Sequence, residues 1–115
     1  MAFIPLQEYK MTVDGGATAE TAINLALPTE LGIQGQMQVV LTALSTNITV
    51  KLGASGVTAD ATLTGTARAA GNFTVKQDAV LIVGVKESQT YISAISEDES
   101  TTGTLYITVG YNSNA

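Results

Sequence analysis

Asn47-Ile48-Thr49-Val50-Lys51-Leu52 alternates polar and apolar side chains without a break. Side chains on an extended strand point to opposite faces in turn. Ile48, Val50 and Leu52 therefore share one buried face, and Asn47, Thr49 and Lys51 share an outer one. The same period recurs on either side. Met37, Val39, Leu41 and Ala43 alternate in the preceding segment, and Ser45-Thr46 reads as a short connection between two antiparallel strands. Phe73 and Val75 alternate with Asn72, Thr74 and Lys76. Leu105, Ile107, Val109 and Tyr111 alternate with Thr104, Tyr106, Thr108 and Gly110, which puts Tyr106 opposite the apolar set.

Two further runs break the rule. Ala79 to Val85 is almost continuously apolar, the pattern expected of a strand covered on both faces. In Gln89–Ser96, Ile92 and Ala94 compete with Tyr91 and Ile95 for the inner face. Ile4–Val13 reads as a strand. Ala19–Leu27 reads as a strand on the alternation of Ala19, Thr21, Ile23, Leu25 and Leu27, with a short helix as the alternative. Turn signals separate the runs at Asp14-Gly15-Gly16, Pro28 with Gly32 and Gly35, Gly53 with Gly56, Gly65, Gly71 and Thr102-Gly103. Strand-sized runs about 8–12 residues apart predict an all-β sandwich of about eight strands, jelly-roll or immunoglobulin-like.

The chain has 115 residues, the length of one domain, and 45% hydrophobic content is enough to fill its core. Residues 1–115 are read as one unit, with residues 1–13 either an edge strand or an extended arm on a neighbouring subunit. Pro5 fixes φ and removes one donor within the apolar Phe3-Ile4-Pro5-Leu6, which suits either role. Only 13% of residues are charged, about half the usual ~25% share. The exterior must be built largely from hydroxyl and amide side chains, which repel neighbouring chains weakly. Five basic residues are scattered and the net charge is −5, so neither nucleic acid nor an anionic membrane is an expected partner. The N-terminus lacks a basic segment followed by a long apolar one, and the chain reads as cytoplasmically made, soluble and unprocessed.

Histidine and cysteine are both absent, which removes Ser-His-Asp and Cys-His catalysis, imidazole and thiolate metal sites, and disulfides. Carboxylates are the remaining catalytic option, because glycoside hydrolysis needs a pair about 5–9.5 Å apart. Asp60, Asp78, Glu87, Glu97, Asp98 and Glu99 are the candidates, and each reads better as a solvated loop or turn carboxylate. Glu97-Asp98-Glu99 is the one charge cluster. It reads as a solvated hairpin loop ahead of a calcium site, because three adjacent residues seldom converge on one ion. Asn47-Ile48-Thr49 and Asn72-Phe73-Thr74 match the glycosylation sequon, by coincidence on this reading. The expectation is therefore a protein with no catalytic, cofactor-binding or metal-ligating residues. The candidate partner contacts are the apolar N-terminal residues Phe3, Ile4 and Leu6 with the tyrosines Tyr9, Tyr106 and Tyr111.

Three stretches carry a resemblance over roughly residues 45–110: Asn47-Ile48-Thr49-Val50-Lys51-Leu52-Gly53, Gln89-Thr90-Tyr91-Ile92-Ser93-Ala94-Ile95 and Gly103-Thr104-Leu105-Tyr106-Ile107-Thr108-Val109-Gly110. In these the chain resembles small bacteriophage virion proteins of the capsid decoration or cement type. The resemblance implies a β-sandwich that binds the major capsid protein or other virion proteins in the phage head and stabilises its lattice. It also implies a homo-oligomer, with a dimer or trimer the leading options. A tail, neck or head-fibre component is the alternative, and a carbohydrate-binding module is the weaker one, since exposed aromatics are few.

Overall fold

A computed structural model describes residues 3–16, 18–27 and 37–112. Its strands are β1 (Phe3–Val13), β2 (Ile23–Asn24), β3 (Met37–Leu44), β4 (Ile48–Gly53), β5 (Leu63–Thr64), β6 (Ala67–Arg68), β7 (Asn72–Val75), β8 (Val80–Gly84), β9 (Tyr91–Ser96) and β10 (Gly103–Asn112). Among the described residues there is no helix. One four-stranded sheet runs β1-β10-β3-β8 and the other β2-β9-β4-β7, while β5 and β6 form a separate hairpin. The two four-stranded sheets make the expected antiparallel sandwich.

The pairings nest. β4 pairs with β7, β3 with β8, β2 with β9 and β1 with β10, all antiparallel. The chain is thus one long antiparallel ribbon rolled on itself, its layers alternating between sheets. The alternating residues meet in the middle. Val39, Leu41, Leu105 and Ile107 from the first sheet and Ile48, Val50, Val75 and Ile92 from the second are all fully buried in one cluster. Burying apolar surface at about 25 cal/mol per Å² is what holds the sheets face to face.

Four expectations are corrected. Ser45-Thr46 is not a hairpin connection, because β3 and β4 lie in different sheets. Ser45 takes a φ of +77° and turns the chain across the gap. Thr46 is then buried, and its methyl stands where a Cβ on Gly103 would come within 2.7 Å. The Ala79–Val85 run is not covered on both faces. β8 is an edge strand whose Leu81 and Val83 pack on the core while Val80 and Ile82 are 65% and 57% exposed. Ala19–Leu27 yields only the two-residue β2. There the Asn24 carboxamide accepts from the Ala26 N–H at 2.8 Å, and Ala26 has a φ of +52°, which ends the extended run. Glu97 is not a solvated loop carboxylate, as described below. The turn signals at Pro28, Gly32 and Gly35 lie outside the described residues.

In β9, Ile92 and Ala94 face the core, yet Ser93 and Ile95 are buried too, beside residues 59–62 and Glu20. The Ser93 hydroxyl accepts from the Ala59 N–H and donates to the Glu20 carbonyl, both at 3.0 Å, fastening that cover. Two buried faces explain why the sequence of β9 has no clean period.

Candidate protein-binding face and the Glu97 cluster

The two sheets treat their outer faces differently. Loops and the β5–β6 hairpin cover the second sheet. Among the described residues no segment covers the first sheet, β1-β10-β3-β8, and its outer face is bare. Register aligns its outward side chains in rows, Lys10-Tyr106-Thr42-Val80 and Glu8-Thr108-Val40-Ile82. From β1 to β8 each row passes from a charged side chain, through hydroxyl-bearing and half-buried ones, to an exposed aliphatic. Val40, Thr42, Tyr106 and Thr108 are half-buried, and Leu44 adds apolar surface beside Thr104. Scattered exposed aliphatics are ordinary. Here they are adjacent and sit at an open edge, which gives them a collective meaning.

The six residues singled out from the sequence fall in different places. Tyr106 stands on the bare face, opposite Leu105, Ile107 and Val109. Tyr9 and Tyr111 pack against the core from the inner side, and the Tyr9 hydroxyl donates to the Leu25 carbonyl at 3.2 Å. Residues 3–13 pair with β10 at the edge of their own sheet. Leu6 sits at a register shift between Pro5 and Gln7 and is 46% exposed. Phe3 and Ile4 are half-buried, and the Phe3 ring lies over Gly110. Sequence reading missed Val80 and Ile82. Their exposure was hidden because a strand with an apolar face outward looks the same in sequence as one buried on both sides.

On the covered sheet, four residues far apart in sequence converge. Thr49, Thr74 and Arg68 all donate to Oε1 of Glu97, at 3.0, 2.7 and 2.7 Å. Thr49 is fully buried, and the Arg68 and Glu97 side chains are only 23% and 22% exposed. Partial burial pushes the Glu97 carboxyl up. The hydroxyls of Thr74 and Thr49, with the charges of Arg68 and Lys76, outweigh it and hold the carboxyl below its ordinary value. The ion pair clamps the β5–β6 hairpin over the sheet. Among the described residues, the buried Nε of Arg68 has no partner.

Two more of the candidate carboxylates, Asp98 and Asp60, are occupied locally. Asp98 accepts from the Ser100 N–H and hydroxyl and the Thr101 hydroxyl, and these bonds hold its carboxyl low. Asp60 accepts from the Thr62 N–H and is likewise lowered. Asp60, Glu97 and Glu99 do line one open cleft of about 200 Å³. Among the described residues no group of three or more carboxylates is placed to hold a metal ion. The sequon asparagines serve the fold: Asn47 accepts from the Gln77 N–H and Asn72 from the Asp60 N–H.

One prediction follows from the clamp. The unfolded chain protonates Glu97 at its ordinary value near 4.5, above the folded value. The clamp's contribution is therefore full at neutral pH and is lost as pH falls below about 4.5 through the folded value. Urea midpoints measured across that window should drop for the wild type. The drop should be shallower for Glu97→Gln, because Asp60 and Asp98 still titrate. Parallel profiles for the two proteins would show that Glu97 has no such role.

The fold and this face define an all-β antiparallel sandwich with one dressed sheet and one bare one. No family model, curated protein or solved structure matches the chain. Among the described residues no helix is long and apolar enough to cross a membrane.

Proposed function

We propose that this chain is a non-enzymatic structural module that docks on other protein chains through the bare face of β1-β10-β3-β8, and that it serves as a decoration protein on a bacteriophage capsid. The observation that carries the reading is the exposure of Val80 and Ile82, at 65% and 57%, beside Val40 and Tyr106 on one sheet face. Burying a large aliphatic side chain contributes about 1.5–3 kcal/mol. A single such contact is largely offset by the cost of association, but a lattice repeats it many times. Few charges must be stripped of water on this face, which favours a dry contact. The nested strand order supports a jelly-roll winding over an immunoglobulin-like one. The capsid as partner rests on the resemblance of the strand sequences to decoration proteins.

Purified protein added to expanded heads should bind them and raise the temperature at which they disrupt. Saturating protein with no shift in that temperature would overturn the capsid role. Immunogold label confined to a single vertex or to the tail would move the protein off the head lattice.

A further inference from the structure

We propose that the free edge of β8 pairs antiparallel with β8 of a second copy, joining two bare faces into one eight-stranded sheet. This does not depend on what the face later binds.

The first ground is the state of the edges. Among the described residues, β8 pairs with β3 on one side and with no strand on the other. Natural sheets blunt free edges with proline, bulges, charges or shortness. β1, the opposite edge, has Pro5, a register shift and the exposed charges Glu8 and Lys10. β2 has two residues. β8 is Val80-Leu81-Ile82-Val83-Gly84 and has none of these guards.

The second ground is hydrogen-bond phase. The Val85 N–H donates to the Met37 carbonyl at 2.9 Å, which places Val85, Val83 and Leu81 on the side facing β3. The N–H and C=O groups of Val80, Ile82 and Gly84 therefore point outward, unpaired by any strand among the described residues. An isologous pairing has to be symmetric about its own centre. Centring it on Ile82 opposes Ile82 to its copy and Val80 to the second copy's Gly84. All three outward-pointing residues then meet their counterparts. Among the described residues nothing lies within 4 Å of where a Cβ on Gly84 would stand, so the larger valine has room.

The third ground is charge complementarity. Asp78 and Lys86 flank the strand and are both exposed. The Ile82-centred register brings the turn that carries Asp78, just before β8, to the end of the other copy's β8 that Lys86 follows. A shift of one residue, centring on Leu81, would instead turn the paired backbone groups away.

Sedimentation of the wild-type chain should show a dimer. Ile82→Lys places two like charges on the symmetry axis and should leave a folded monomer, with an unchanged circular dichroism spectrum. At low salt, Asp78→Lys and Lys86→Asp should each raise the dimer Kd by about tenfold, given two weakened pairs per dimer. The combined Asp78→Lys/Lys86→Asp variant should return to the wild-type Kd. A wild-type chain that stays monomeric at the highest concentrations, a dimer or trimer indifferent to Ile82→Lys, or single charge variants that the double variant does not rescue would each overturn the proposal.

Discussion

Leu41→Ala is expected to lower the unfolding free energy by about 2–5 kcal/mol, the largest loss from any single truncation considered for this fold. Leu41 lies in the middle of β3, fully buried, with β10 on one side and β8 on the other. Its cross-strand neighbours are Ile107 and Leu81. Both strands are held in register by their own ladders and cannot close on the space left behind. The cost is then the lost transfer energy together with the cavity. Urea unfolding should show a lower midpoint with an unchanged slope, since the surface exposed on unfolding is almost the same. Ile107→Val should cost only about 0.5–1.5 kcal/mol. A Leu41→Ala loss as small as the roughly 0.5 kcal/mol of a surface change would show that the sheets are not packed around it.

Gly110→Ala ranks second, and by a different route. Gly110 is in β10, where an added Cβ would fall 2.3 Å from the Ile4 carbonyl oxygen and 2.5 Å from the Phe3 ring. The obstacle is backbone, so rotamer adjustment cannot relieve it. Overpacking of this kind costs about 1–3 kcal/mol. The strain has an outlet, because the register shift between Pro5 and Gln7 already separates the first residues of β1 from the rest. Phe3–Pro5 should detach while Tyr9–Val13 stay paired with Ile107–Gly103. Hydrogen exchange should therefore speed up at Ile4 with little change at Met11 and Val13. Uniform acceleration along β1 would mean that its two ends are not separable.

The alternation in β3, β4, β7 and β10 made the sandwich legible before any coordinates, because one buried face per strand is written directly into a period of two. Elsewhere the sequence was ambiguous for physical reasons. Ser93 and Ile95 are apolar or small because loops cover them, which erased the period in β9. The connection at Ser45-Thr46 is as short as a hairpin turn, and only the +77° φ and the crowding around Gly103 send it to the other sheet. Val80 and Ile82 are apolar without being buried, so composition alone placed them inside. The Glu97 cluster draws on residues 48, 29 and 23 positions away, a juxtaposition that no local pattern records.

The nesting of the ladders has a consequence for the order in which the molecule is made. β1 leaves the ribosome before every other described strand, yet its partner is β10, the last of them. β10 also sits between β1 and β3, so those two strands cannot meet without it. Loop closure over such a span is slow, and topologies dominated by distant pairs fold late. A nascent chain stalled before Gly103 would therefore hold both β1 and one side of β3 unmatched. Translation must deliver the far end before the near end has anywhere to go.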